Sequence, residues 1–180
     1  MIRPKFEHPV VFFIDGGSRG NPGPAGYGVA IQSPTGERLD SISKFIGICT
    51  NNVAEYSALL AGLEYAVQHH YAHVKFNSDS ELLVKQIQGE YRVKSPDLRL
   101  LFDRAKNLIQ RIPRFEIQHV RREQNTQADA LANEAMDQGA PVSPRVIRCD
   151  AVFESGILKP LSRLELPEKQ IVECTIRIKG

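Results

Sequence analysis

A chain of 180 residues with 42% apolar and 24% charged residues and a formal net charge of +2 can bury one core without cross-links, and its composition excludes a disordered or repetitive polymer. The apolar run Val10-Val11-Phe12-Phe13-Ile14 is too short for a signal-peptide core. No stretch reaches the roughly 20 apolar residues that cross a bilayer, and Cys49, Cys149 and Cys174 do not close a disulfide framework. A cytoplasmic protein without membrane attachment is expected. Its charge is uneven, with ten basic against four acidic residues between Lys85 and Arg122. That excess reads either as a solvated helix face or as a phosphate-binding one.

Val10 to Ile14, β-branched and aromatic throughout, reads as a strand buried on both faces. A Gly- and Pro-rich turn over 16–26 leads to a second strand at Tyr27 to Ile31. The turn Ser33-Pro34-Thr35-Gly36 then leads to a third at about Leu39 to Ile46. Short connections make these an antiparallel meander. From Val53 to Gln68 the period becomes helical, with Tyr56, Leu59, Leu60, Leu63 and Val67 on one stripe and Asn51 or Asn52 to cap the start.

A short strand at Val74 to Asn77, a helix at Ser80 to Gln88 and a longer helix at Pro96 to Ile112 follow. The last strand is Phe115 to Val120, and a final helix carries Ala128, Leu131, Ala132, Ala135 and Met136 inward. The order βββαβααβα predicts an α/β fold with a mixed five-stranded sheet flanked by helices, its later strands reached through right-handed crossovers. Gly139 to Pro144 breaks the periodicity, which divides the chain into a main domain at 1–140 and a β-rich extension at 141–180.

Asp15 closes the first strand, Asp79 closes the strand after the helical crossover, and Glu55 begins the first helix. Singly, these residues suit a turn former, an N-cap and the acidic end of a capping box with Asn52. Together, parallel strand ends roughly 5 Å apart would crowd like charges into one cleft, a conflict that a divalent cation relieves. Oxygen donors without Cys or His pairs suit Mg²⁺ or Mn²⁺, and two such ions suit phosphodiester hydrolysis.

Four segments, in order, carry a resemblance: Ile14-Asp15-Gly16-Gly17-Ser18-Arg19-Gly20-Asn21-Pro22-Gly23-Pro24-Ala25-Gly26-Tyr27-Gly28, Thr50-Asn51-Asn52-Val53-Ala54-Glu55, Ser78-Asp79-Ser80 and Asn125-Thr126-Gln127-Ala128-Asp129-Ala130-Leu131-Ala132. Over about residues 8 to 138 the chain resembles type 1 ribonuclease H, a family that cuts the RNA strand of RNA/DNA hybrids. The resemblance implies a ribonuclease H-like fold with Asp15, Glu55, Asp79 and Asp129 as catalytic, metal-binding carboxylates for two Mg²⁺ or Mn²⁺ ions, Asp15 bridging both. It implies that Asn21, Asn51, Asn52 and Glu81 reach the minor groove, where 2′-hydroxyls mark RNA, and that Thr50 contacts a DNA-strand phosphate. An RNA/RNA duplex is the alternative substrate, and a non-catalytic hybrid-binding module the alternative role.

Two departures stand out. Many members carry a histidine in the loop before the last aspartate, where this chain has Val120-Arg121-Arg122-Glu123-Gln124, leaving Arg122 or Glu123 to substitute. Many also insert a basic, Trp-bearing helix after the helix that follows Asp79; Gly89 to Pro96 is too short for one and the chain has no Trp. Affinity is then expected from Lys94, Arg99, Arg104 and Lys106, with a steep salt dependence. Residues 145–180 alternate as strands, with Ser155-Gly156 a hairpin turn, and are similar to small antitoxin-like β domains. So short a β segment is expected to pair in a homodimer, to bind a protein partner or to dock on the main domain.

Overall fold

The computed structural model describes residues 8–139 and 149–161. The apolar run of the first segment lies in β1 (Val10–Ser18), followed by β2 (Gly23–Gln32), β3 (Arg38–Cys49), β4 (His73–Ser78) and β5 (Arg114–His119). These form one sheet in the order β3-β2-β1-β4-β5. The meander β1–β2–β3 is antiparallel, while β4 and β5, each reached through helix, run parallel to β1. The mixed five-stranded sheet expected from the sequence is the one that forms.

The flanking helices are α1 (Asn51–Gln68), α2 (Glu81–Gln88), α3 (Pro96–Ile109) and α4 (Thr126–Gly139). One face of the sheet gives Phe12, Ile14, Val29, Ile31 and Phe76 to a core shared with Leu59 and Leu63 of α1 and Leu98 and Ala105 of α3. Phe12 and Phe76, register partners on neighbouring parallel strands, stack with their ring centroids 4.6 Å apart. The opposite face of the meander receives α4, whose Ala128, Ala132 and Ala135 are buried.

Three local expectations are corrected. β1 does not end at Asp15: its antiparallel pairing with β2 continues from Asp15↔Gly28 to Ser18↔Ala25, whereas its parallel pairing with β4 stops at Ile14↔Ser78. The Gly-rich stretch is therefore mostly strand, and β2 begins at Gly23 rather than Tyr27. Thr50, not Asn51 or Asn52, caps α1, its Oγ1 accepting from the Val53 N–H at 3.4 Å. Both asparagines lie inside the first turn.

Glycine inside strands has a packing reason here. A Cβ on Gly16 would overlap the backbone of Ala54 and Glu55, and one on Gly28 would overlap Ala128 and Leu131. Alternate residues of paired strands face opposite sides, so Gly16 seats α1 on one face while Asp15, opposite Gly28, shares the α4 face.

The chain divides into two compact units, Met1–Pro141 and Val142–Gly180. In the second, β6 (Ala151–Glu154) and β7 (Ile157–Pro160) form an antiparallel hairpin. Its turn has Ser155 at φ 53° and Gly156 at φ 81°, the positive pair that a two-residue hairpin loop prefers. The rest of the alternating stretch, 145–148 and 162–180, lies outside the described residues. Among the described residues no helix is long and apolar enough to cross a membrane.

Gly16→Ala should lower the unfolding free energy by about 3 kcal/mol, because backbone rather than a flexible side chain must move. Urea denaturation checks this; a loss below about 1 kcal/mol would show that α1 does not sit so closely on β1.

Candidate active site

Three acidic residues converge where the parallel β1–β4 ladder stops and α1 begins. Asp15 lies just beyond the last parallel pair of β1 and β4, Asp79 follows the end of β4, and Glu55 lies in the first turns of α1 against Gly16. Each offers a carboxylate oxygen within 4.8 Å of the others. None fills the local role its sequence position suggests: Asp15 is within a strand, Ser80 rather than Asp79 caps α2, and Thr50 caps α1.

At that spacing and an effective dielectric of about 20, two unit charges repel by roughly 3 to 4 kcal/mol. Burial first, then the charges of Asp79 and Asp129, push the Asp15 carboxyl up to about 6, against the pull of the Gly16 N–H and Arg122. Burial, then Asp15 and Asp79, hold Glu55 well above the usual carboxylate range, with the Gly16 N–H again opposing. Glu55 is 6% exposed, and among the described residues its buried Oε2 has no hydrogen-bond partner. Leaving a buried acceptor unpaired costs about 1–3 kcal/mol. A hard divalent cation fits this donor set, since it would occupy the orphaned oxygen and offset the repulsion.

The structure does not bring Asp129 into the trio. Its carboxylate, partly exposed near the start of α4, accepts from Arg122 Nη2 at 2.7 Å and from Asn133 Nδ2 at 3.1 Å, and its charge still acts on Asp15. The Arg122 side chain is 74% exposed, so this pair contributes on the order of 1 kcal/mol or less. Arg122, in the 3₁₀ turn Arg122–Gln124, is the loop residue that reaches the acidic cluster.

One residue escaped the sequence reading. Asn125 is fully buried, and its Nδ2 donates to the Ile14 carbonyl and to Asp79 Oδ1, both at 2.9 Å. It stands inside the fourth motif, but nothing in that pattern distinguished a buried carboxamide from a helix-start residue.

Of the substrate candidates, Asn21, Thr50 and Asn51 come together. Asn21 Oδ1 accepts from the Asn51 N–H at 3.2 Å, and Asn51 Oδ1 accepts from the Ser18 N–H at 3.3 Å. The Arg19–Asp137 ion pair joins the same turn to the end of α4. Asn52 is exposed beside them, whereas Glu81 lies apart at the start of α2, exposed and paired with Lys85 at 2.7 Å. Two of the basic residues expected to supply affinity are also engaged with acids, Arg99 with Asp103 and Arg104 with Glu64.

This sheet order, with carboxylates at the end of the central strands, defines the class: an α/β domain of ribonuclease H architecture. A reverse transcriptase-like family model matches residues 13–135, and an AF2212-like model matches 144–179. The bifunctional protein Rv2228c of Mycobacterium tuberculosis is 46% identical over 132 residues, 73% of this chain and 36% of its own length. The chain thus spans about a third of the mycobacterial proteins it matches. The solved N-terminal RNase H domain of that protein superposes with a TM-score of 0.72 at 44% identity, covering 74% of this chain and 97% of the solved one.

Ribonuclease HI of Halobacterium salinarum is 41% identical over 137 residues, 76% of this chain and 69% of its own length. LC11-RNase H1, isolated from compost and solved in complex with an RNA/DNA hybrid, gives a TM-score of 0.69 at 42% identity, covering 73% and 99% of the two chains. The chain belongs to the ribonuclease HI family.

Between the ordinary aspartate value of 3.8 and about 6, folded protein holds at Asp15 a proton that the unfolded chain has released. Stability without cations should therefore fall as pH rises through that window, and saturating Mg²⁺ should remove the fall. Denaturant midpoints from pH 4 to 7, with chelator and with Mg²⁺, measure this; identical profiles would contradict a cation at the cluster.

Proposed function

We propose that the chain is an endonuclease that hydrolyses the RNA strand of RNA/DNA hybrids, with Asp15, Glu55, Asp79 and Asp129 holding two Mg²⁺ or Mn²⁺ ions. The buried Glu55 oxygen that has no partner among the described residues, within a trio of carboxylates, carries this reading. A non-catalytic binding module would have no use for so costly a cluster. Two ions, when bound, supply an activated water and stabilise the leaving oxygen of an in-line displacement at phosphorus.

The residues of this chain do the rest. Asp15, which feels the charges of both Asp79 and Asp129, would be the carboxylate shared between the ions, as the family resemblance implies. Asp129 would hold an ion only by giving up part of its pairing with Arg122 and Asn133. Arg122 then keeps a positive charge beside the reacting phosphate, in the loop where many relatives carry histidine. Asn21, Asn51 and Asn52, together with Glu81 at the start of α2, read the minor groove, and the Thr50 hydroxyl meets a DNA phosphate. The complex of LC11-RNase H1 with a hybrid supports that substrate; an RNA/RNA duplex is the competing one.

Residues 1–140 act as the nuclease domain and 141–180 as a β-rich extension. The hairpin exposes Phe153, Ile157 and Leu161, which favours self-association or a protein partner through the tail. The reading also places the protein in the cytoplasm.

Purified protein should cut the RNA strand of a labelled hybrid in Mg²⁺ or Mn²⁺, and chelator should abolish cutting. Asp15→Asn should lower the rate at least about 100-fold while leaving the melting temperature unchanged or higher, since one of three crowded charges is gone. Undiminished cleavage by a folded Asp15→Asn protein would reject the site.

A further inference from the structure

Where the parallel ladder between β1 and β4 ends, at Ile14↔Ser78, one side chain continues it. Asn125 sits between the 3₁₀ turn Arg122–Gln124 and α4, and its own backbone is engaged. Its N–H donates to the Arg122 carbonyl at 2.9 Å, and its carbonyl accepts from the Asp129 N–H at 3.1 Å. The side chain, 0% exposed, then reaches back to the Ile14 carbonyl, one residue before Asp15, and to the Asp79 carboxylate. One carboxamide thus joins the strands bearing Asp15 and Asp79 to the helix bearing Asp129.

The chemistry of the two partners sets its orientation. A carbonyl and a carboxylate are both acceptors, so the NH₂ end must face them; a flipped amide would set oxygen against oxygen. That orientation leaves Asn125 Oδ1 buried without a partner among the described residues. An apolar residue of similar size would avoid the orphan, so a polar one there has its physical reason in the two donated bonds. The donor is also uncharged. Lys or Arg in its place would orient Asp79 but would offset the negative charge that attracts a cation, while Ser or Thr would supply one O–H donor instead of two N–H donors.

We propose that Asn125 is a positioning residue for the metal site. It fixes the Asp79 carboxylate and the end of β1 against one another, so that the carboxylates present preformed oxygen ligands. This rests on the metal-binding reading above. Outer hydrogen bonds to a ligating carboxylate typically set affinity by about 10- to 100-fold.

The test measures Mn²⁺ binding by calorimetry, together with kcat and KM for a hybrid, on the full chain and three variants. Asn125→Leu keeps the branched shape, at a somewhat larger volume, but donates nothing; Asn125→Ser keeps one donor but leaves space. If donation matters, Mn²⁺ affinity and kcat fall in the order wild type, Ser, Leu, by about 10- to 100-fold for Leu, with KM for the hybrid unchanged. If the residue only packs, Leu outperforms Ser and the proposal fails.

Ser43→Ala removes another tie on α4, the 2.8 Å bond from Ser43 Oγ to the Leu131 carbonyl, without touching Asp79. It should lower the melting temperature yet keep wild-type Mn²⁺ affinity. Equal loss of affinity in Ser43→Ala and the Asn125 variants would reduce Asn125 to a helix anchor and overturn its assignment, as would unfolding of both Asn125 variants. Wild-type protein that binds no Mn²⁺ rejects the metal-site reading itself; wild-type binding with unaffected variants rejects the role of Asn125 alone.

Discussion

Three carboxylates held within 4.8 Å of one another repel, and the surrounding structure is arranged around keeping them there. Solvent would screen them if they were exposed, but Glu55 is buried and Asp15 is half-buried, so the repulsion acts in a medium that amplifies it. The Gly16 N–H offsets a part, Arg122 offsets another part from outside, and the Asn125 carboxamide holds Asp79 without neutralising it. What remains uncompensated is the binding energy offered to a cation. A site stabilised only by its own side chains would have no reason to attract one.

Holding like charges together requires stiff support, and the strand glycines provide it. With no side chain at Gly16 or Gly28, a helix lies directly on each face of the central strands, and the backbones themselves set the spacing. The first contact delivers Glu55 and the second delivers the start of α4. The aromatic core under α1, with Phe12 against Phe76, resists relaxation of the β1–β4 pair that carries the two aspartates. Packing on one side and close backbone approach on the other thus serve the same geometry.

Membership of the ribonuclease HI family explains the arrangement, while the departures concern how a nucleic acid is gripped. The connection from α2 to α3 spans only Gly89 to Ser95, with no helix inserted. The basic excess between Lys85 and Arg122 is partly spent inside the domain, since Lys85, Arg99, Arg104 and Arg114 all pair with acids. Surface pairs of this kind are weak enough for phosphates to compete. The basic excess of this face is therefore partly paired within the domain rather than simply displayed.

Sequence alone determined the element order and the mixed sheet, and it named four carboxylates as candidates for one site. Strand and helix periods, turn residues and ordered motifs are local patterns, and local patterns are what a chain displays along its length. It misplaced the end of β1 because strand length was set by β2 pairing past Asp15, which no run of apolar residues announces. It chose Asn51 or Asn52 as the cap of α1, where one residue of register placed Thr50. Asn125 was invisible as a support because its partners lie 111 and 46 residues away. Only the tertiary structure decided that Asp15, Glu55 and Asp79 form a trio while Asp129 faces Arg122. Distances between carboxylates depend on how helices seat on the sheet, and that is a property of packing rather than of any segment.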